Sequence, residues 1–244
     1  MGSPPVEVSV VMPVYEEGES VVPVLRDLDA ELPASREILV VHDTDEDSTV
    51  PVVGRLTAEI PGLRPYRNTL GRGVLPAMRA GIGASTGRYV VVTMADGSDD
   101  YSSLTAMLAA ADGGADVVAA SRYMRGGRQV GGPRLKRLMS RTAGLTLHWF
   151  AGVPTHDATN NFKLYRRSFL ESITIESRAG FELALELTVK ATAAGRRVVE
   201  VPTTWRDRTE GTSRFRLRTW LPHYLRWYAY AFRWRIRRAA SRTR

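Results

Sequence analysis

Short apolar, β-branched runs alternate with stretches whose apolar positions recur at helical spacing through the first half of the chain. Val6–Val14 predicts a strand and Glu19–Leu32 a helix. Ile38–Val41 predicts a second strand, Thr49–Ile60 a helix with Pro51 tolerated in its first turn, and Leu63–Arg67 a third strand. Gly73–Ala84 predicts a helix, Tyr89–Met94 a strand, Ser102–Ala111 a helix and Val117–Ala120 a strand. This order predicts an α/β fold with a mostly parallel sheet and helices on both faces. On such sheets ligands bind beyond the carboxyl ends of the strands, so the polar residues after each strand are the place to look for chemistry.

The second half is patterned differently. Arg134–Phe150 and Phe181–Ala194 predict amphipathic helices, Val198–Val201 a late strand, and glycine-rich Gly126–Gly132 a loop. Thr219–Arg238 carries Trp220, Tyr224, Trp227, Tyr228, Ala231 and Trp234 at helical spacing, flanked and interrupted by arginines. Two readings fit it: an amphipathic helix at an anionic membrane surface, or a helix packed on the main domain with solvated arginines. The expected division is 1–218 for the main domain and 219–244 for this helix.

Composition narrows the picture. A chain of 244 residues, 43% hydrophobic, can bury a core. The absence of cysteine excludes disulfides, thiolate metal sites and cysteine nucleophiles. No secretory signal pattern is visible, and no apolar run reaches the roughly 20 residues of a membrane span. The net charge is +8, with many arginines between Arg206 and Arg244. That charge admits nucleic acid, an anionic membrane or a phosphorylated substrate; without zinc spacing or an RNA-binding aromatic signature, nucleic acid is the weakest of the three.

Two acidic strand ends stand out: His42-Asp43-Thr44-Asp45-Glu46-Asp47 and Ala95-Asp96-Gly97-Ser98-Asp99-Asp100. A carboxylate in the crevice can accept from a base or ribose, or hold Mg2+ or Mn2+ against a diphosphate. Each cluster alone is equally a solvated loop, and Asp47-Ser48 can simply cap the next helix. The order of the pieces is more specific. Pro13-Val14-Tyr15-Glu16-Glu17 is followed by His42-Asp43, then Gly71-Arg72-Gly73, then Asp96, then Ser121-Arg122-Tyr123. After these come Asp157-Ala158-Thr159-Asn160-Asn161-Phe162-Lys163 and Asp207-Arg208-Thr209-Glu210-Gly211-Thr212-Ser213-Arg214.

From about Val8 to Phe215 this series resembles family 2 glycosyltransferases, and within them dolichol-phosphate mannose synthases and their bacterial polyprenyl-phosphate relatives. The resemblance implies a GT-A fold, a Rossmann-like sheet with a C-terminal amphipathic helix. It implies that Pro13, Tyr15 and Glu17 line a nucleotide pocket, with Asp43 on the base and Arg72 nearby. Asp96 would ligate the metal, Mn2+ or Mg2+, with Ser98 beside it. Arg122, Lys136, Ser140, Arg208, Ser213 and Arg214 would gather donor diphosphate and acceptor phosphate. Asp157 would stand at the reaction centre; its alternative is a structural carboxylate paired with an arginine. The implied reaction is inverting, metal-dependent transfer of a hexose, mannose from GDP-mannose as first guess, to a polyprenyl phosphate. A cytoplasmic location, peripheral on the inner membrane face, goes with it. The same fold could instead serve a soluble or polysaccharide acceptor, or bind nucleotide without catalysis. His42 replaces the usual first acid after strand two, Glu16 the usual asparagine, and Met94 the first carboxylate of the usual Asp-Ala-Asp.

Overall fold

The computed structural model describes residues 6–178, 180–207 and 217–242, the last stretch with side chains from 221 to 241. Strands β1 (Val8–Pro13), β2 (Arg36–His42), β3 (Leu63–Arg67), β4 (Tyr89–Val92), β5 (Val117–Ser121), β7 (Lys163–Arg166) and β8 (Val198–Pro202) form one sheet in the order β3-β2-β1-β4-β7-β5-β8. All neighbours are parallel except β7, which runs antiparallel to β4 and β5. A small parallel ribbon joins β6 (Arg128–Val130) to β9 (Thr204–Arg206).

Alternation along the strands sends successive side chains to opposite faces. Val8, Val10 and Met12 of β1 pack with helices α1 (Val21–Glu31), α2 (Thr49–Leu56) and α4 (Leu104–Asp112). Val11 packs on the other face with α3 (Val74–Ala84), α6 (Arg167–Glu171) and α7 (Leu183–Ala193). The predicted strands and helices of the first half are all present. The short β6, β7, β9 and α6 were not predicted, and the antiparallel β7 sits inside the sheet, between β4 and β5.

Helix α5 (Arg134–Thr146) runs on into a single π turn, Leu147–Ala151. Its inner side lies so close to the following loop that a side-chain carbon at Gly144 would stand 2.0 Å from the His156 carbonyl oxygen. Helix α8 (Leu217–Arg242) packs on α7 and the π turn. Trp227 and Ala231 are buried there with Leu147, Val153, Leu185 and Val189, and Tyr224, Tyr228 and Phe232 border them. Of the two readings of this segment, the packed helix is the one its middle matches. The stripe Tyr224, Trp227, Tyr228 and Ala231 covers the protein's own apolar surface, and Trp227 Nε1 donates to Ser177 Oγ at 3.2 Å.

Candidate active site

The carboxyl ends of β1 and β2 and the start of α3 enclose an open cleft. One lobe, about 620 Å3, runs from Asp43 and Thr44 to Asn68 and Arg72. A second, about 270 Å3, adds Tyr15, Asp47 and Gly73 and shares Asp43, Thr44 and Arg72. The expected Tyr15, Asp43 and Arg72 therefore line one space, and Pro13 ends β1 two residues before Tyr15.

Asp43 is fixed from two sides. Asn68 Nδ2 donates to Oδ1 at 2.7 Å, and the Gly73 amide at the start of α3 donates to Oδ2 at 2.7 Å. Gly73 has φ of 119°, a conformation costly for any residue with a Cβ, which is why glycine precedes this helix. A carboxylate has about four acceptor positions, so two donors leave capacity for a ligand. His42, where the family's usual acid would be, is buried and bonded through Nδ1 to the Thr44 carbonyl at 2.9 Å, shaping the loop. Asp47 caps α2 through the Thr49 amide at 2.9 Å and also accepts from the Glu16 amide at 3.0 Å. That second bond ties the end of β1, where Glu16 has a positive φ of 55°, to the end of β2. Glu17 is held alongside, its amide donating to Thr49 Oγ1 at 3.0 Å.

Beyond β4, Asp96 Oδ1 accepts from the Ser98 amide at 3.1 Å. The Ser98 hydroxyl is buried and has no hydrogen-bond partner among the described residues. Asp99 turns inward to accept from Thr93 Oγ1 at 2.8 Å. Burial, and then repulsion from the Asp96 carboxylate, pushes the Asp99 carboxyl up to about 7. No group of three metal-capable side chains occurs among the described residues. An unpartnered buried hydroxyl beside a carboxylate still suits Mg2+ or Mn2+, hard cations that bind through one or two protein oxygens and complete their shell with diphosphate and water.

Arg122, at the end of β5, is committed to Asp157. Its Nε and Nη2 donate to the two carboxylate oxygens at 2.6 and 2.9 Å, and its amide adds a third bond at 3.1 Å. Asp157 is fully buried and also accepts from Thr159 Oγ1 and the Asn160 amide. Burial alone would raise its carboxyl; the Arg122 guanidinium, its hydrogen bonds and Lys163 outweigh that and hold it below the usual carboxylate range. The geometry is that of a carboxylate paired with an arginine.

Lys163, to which the motif assigned no role, is equally buried and donates to the carbonyls of Asp157, at 3.1 Å, and Asn160. Desolvation lowers its ammonium to about 8 against the pull of Asp157. A lysine flanked by Phe162 and Leu164 was the available signal.

Ser140 of α5 is hydrogen-bonded to the Tyr123 hydroxyl, which also donates to Gln129 at 2.9 Å, while Lys136 lies one turn earlier and partly exposed. The Arg122 guanidinium stacks between the Tyr123 and Trp205 rings, 4.9 and 6.0 Å from their centroids. Arg208, Ser213 and Arg214 lie outside the described residues.

The comparisons with known proteins agree with this architecture. The chain belongs to glycosyltransferase family 2, whose model matches residues 9–174, and it is a glycosyltransferase of the GT-A fold. Polyprenol monophosphomannose synthase of Mycolicibacterium smegmatis is 33% identical over 211 residues, 84% of this chain and 79% of that one. Undecaprenyl-phosphate mannosyltransferase of Micrococcus luteus is 31% identical over 210 residues, covering 84% and 85%. Among solved structures, glucosyl-3-phosphoglycerate synthase of Mycobacterium tuberculosis, in complex with Mn2+, UDP and glucosyl-3-phosphoglycerate, matches with a TM-score of 0.63 at 15% identity, over 90% of this chain and 76% of that one. The last likeness is one of fold.

Proposed function

We propose that the protein transfers a hexose, mannose from GDP-mannose as the first donor to test, from a nucleoside diphosphate sugar to a polyprenyl phosphate at the membrane surface. The observation that carries this reading is the similarity to two polyprenyl-phosphate mannosyltransferases across 84% of the chain, spanning both halves of the site. The cleft at Tyr15, Asp43 and Arg72 takes the nucleotide, and in this reading Pro13 and Glu17, on either side of Tyr15 in the chain, join it. Asp96 and Ser98 hold the divalent cation, which when bound offsets the charge of the departing nucleoside diphosphate.

Arg122 cannot be a free phosphate clamp while Asp157 holds it on three sides. It serves instead as a fixed positive field at the end of β5, oriented by Asp157 and the loop that Lys163 secures. Lys136 and Ser140, and with them Arg208, Ser213 and Arg214, complete the acceptor side in this reading. A phosphate acceptor is already an anion near neutral pH, so it needs no general base, and an Asp157 engaged by Arg122 is compatible with that chemistry.

The test supplies labelled GDP- and UDP-sugars with Mn2+ and either polyprenyl phosphate or the matching polyprenol, and follows label into the lipid phase. Labelling of the phosphate alone is expected. Labelling of the polyprenol, or of a soluble sugar or phosphorylated metabolite with neither lipid labelled, overturns the acceptor assignment.

A further inference from the structure

The small ribbon of β6 and β9 stands between the two halves of the site. On one side the Arg206 amide donates to the Ser98 carbonyl at 2.9 Å, which fastens β9 to the loop of Asp96 and Ser98. On the other, the Asp207 amide donates to the Val130 carbonyl at 2.9 Å and keeps β9 on β6, whose end leads through Gly131 and Gly132 into α5. Trp205, the middle residue of β9, pairs with Gln129. Strand alternation sends its side chain to the opposite face from Thr204 and Arg206.

Trp205 is partly exposed, and its ring is braced. The Arg122 guanidinium lies 6.0 Å from the ring centroid, and a side-chain carbon on Gly132 would meet the six-membered ring at 3.4 Å. Gly131 and Gly132 have φ of 76° and 78°, so the chain turns beside the indole where residues with a Cβ are costly. Propping Arg122 does not account for this ring, since Asp157 already fixes that guanidinium with hydrogen bonds to both carboxylate oxygens. The Arg122 charge is felt at the Asp99 carboxylate, next in the chain to Ser98. Indole, guanidinium and the Asp96–Ser98 loop therefore border one space.

We propose that Trp205 is the platform on which the hexose of the donor lies. A pyranose carries C–H bonds on its faces and hydroxyls around its rim. Its face packs on an aromatic ring while the rim stays free for hydrogen bonds, the usual division of labour in a site that combines aromatic walls with a few polar groups. A nucleoside diphosphate held at the Asp96–Ser98 loop places its sugar immediately beyond the diphosphate, alongside β9 and short of Arg122. The inference rests on the donor reading above and adds to it the side chain that meets the sugar.

The test measures dissociation constants by calorimetry with Mn2+ present, for GDP against GDP-mannose and for UDP against UDP-glucose. The proteins are wild type, Trp205→Ala and Trp205→Phe. The nucleoside diphosphates report the cleft and the Asp96–Ser98 loop, and the ratio of sugar nucleotide to nucleoside diphosphate reports the hexose contact. In Trp205→Ala the nucleoside diphosphate constant should be unchanged, while the ratio moves about tenfold against the sugar nucleotide. Trp205→Phe should keep most of the wild-type ratio. Trp205→Leu, which retains apolar bulk against Gly132 and Arg122, should behave as Trp205→Ala does, and replaces it if the smaller side chain unfolds the ribbon. A wild-type ratio in Trp205→Ala or Trp205→Leu overturns the inference and leaves the donor cleft standing. So does an equal loss of nucleoside diphosphate and sugar nucleotide, or a Trp205→Phe protein no better than Trp205→Ala. A wild-type protein that binds none of the four compounds removes the donor reading and this inference with it.

Discussion

Asp157 takes three hydrogen bonds from Arg122 and has no exposed surface, so its charge and that of the guanidinium depend on each other. Removing one partner of a buried pair costs more than the pair contributes, because the survivor is left uncompensated. Asp157→Asn should therefore destabilise the protein by about 3 kcal/mol or more, a fall in Tm on the order of 10 °C, measurable by calorimetry. A variant that melts like wild type but turns over slowly would return Asp157 to the chemistry. Lys163 gives a prediction in pH. Its folded pKa, about 8, lies below the 10.5 of the exposed side chain. Between those values the unfolded chain holds a proton that the folded one has released, so stability from this group rises as pH rises through the window and is lowest below it. Denaturant unfolding of wild type and Lys163→Met at about pH 7.5 and about pH 9.5 should show the difference moving toward wild type at the higher pH, by on the order of 1–2 kcal/mol. A flat difference would mean that burial does not perturb this lysine. Residues were legible in the sequence where a strand end fixes their place: Tyr15, Asp43 and Arg72 fall into one cleft as the parallel-sheet rule requires. Asp157 was legible only as a pair of alternatives, since its partner lies 35 positions earlier and no local pattern encodes the pairing.

At the scale of elements, α8 shows how one spacing serves two structures. Tyr224, Trp227, Tyr228 and Ala231 would suit a membrane interface or a protein groove equally; the apolar surface of Leu147, Ala151, Leu185 and Val189, which α8 buries, decides for the groove. Trp227 is 1% exposed, with Lys190 and Arg226 each 4.8 Å from its ring centroid. Trp227→Ala should cost about 3–5 kcal/mol, as truncation of a large buried side chain does, and deletion of 219–244 should yield an aggregating protein in place of a soluble one that merely releases membranes. A soluble, cooperatively melting truncation would show that α8 is a separable appendage. The unpredicted β7 has a similar cause. Its four residues begin with a buried lysine and end with an arginine, so neither an apolar run nor a clean alternation marks it. Its place between β4 and β5 is set by pairing with strands far away in sequence.

In the proposed reading the donor side is gathered from three separate strand ends, which links ligand binding to the stability of the entire sheet. Tyr15 follows β1, Asp43 follows β2, Asp96 and Ser98 follow β4, and the start of α3 closes the space through Gly73. Those elements come into register only in the folded chain, so a nucleotide held there binds the native state alone. It then stabilises by mass action, roughly 2.7 kcal/mol at a hundredfold excess over Kd. GDP or UDP should raise the melting temperature, and Mn2+ should raise it further, because Asp96 and Ser98 would hold a cation that offsets the charge of the diphosphate. The two effects are separable by one substitution. Asp96→Asn keeps the size and can still accept from the Ser98 amide, but lacks the charge that holds a divalent ion. In that variant the nucleotide shift should persist while the Mn2+ increment disappears, and transfer should fall about 10²-fold or more, as when a main electrostatic stabiliser is lost. An Asp96→Asn protein that keeps the full Mn2+ increment would move the metal elsewhere, with Asp99 the first residue to substitute. A wild-type protein that no nucleotide stabilises at millimolar concentration would remove the donor cleft itself.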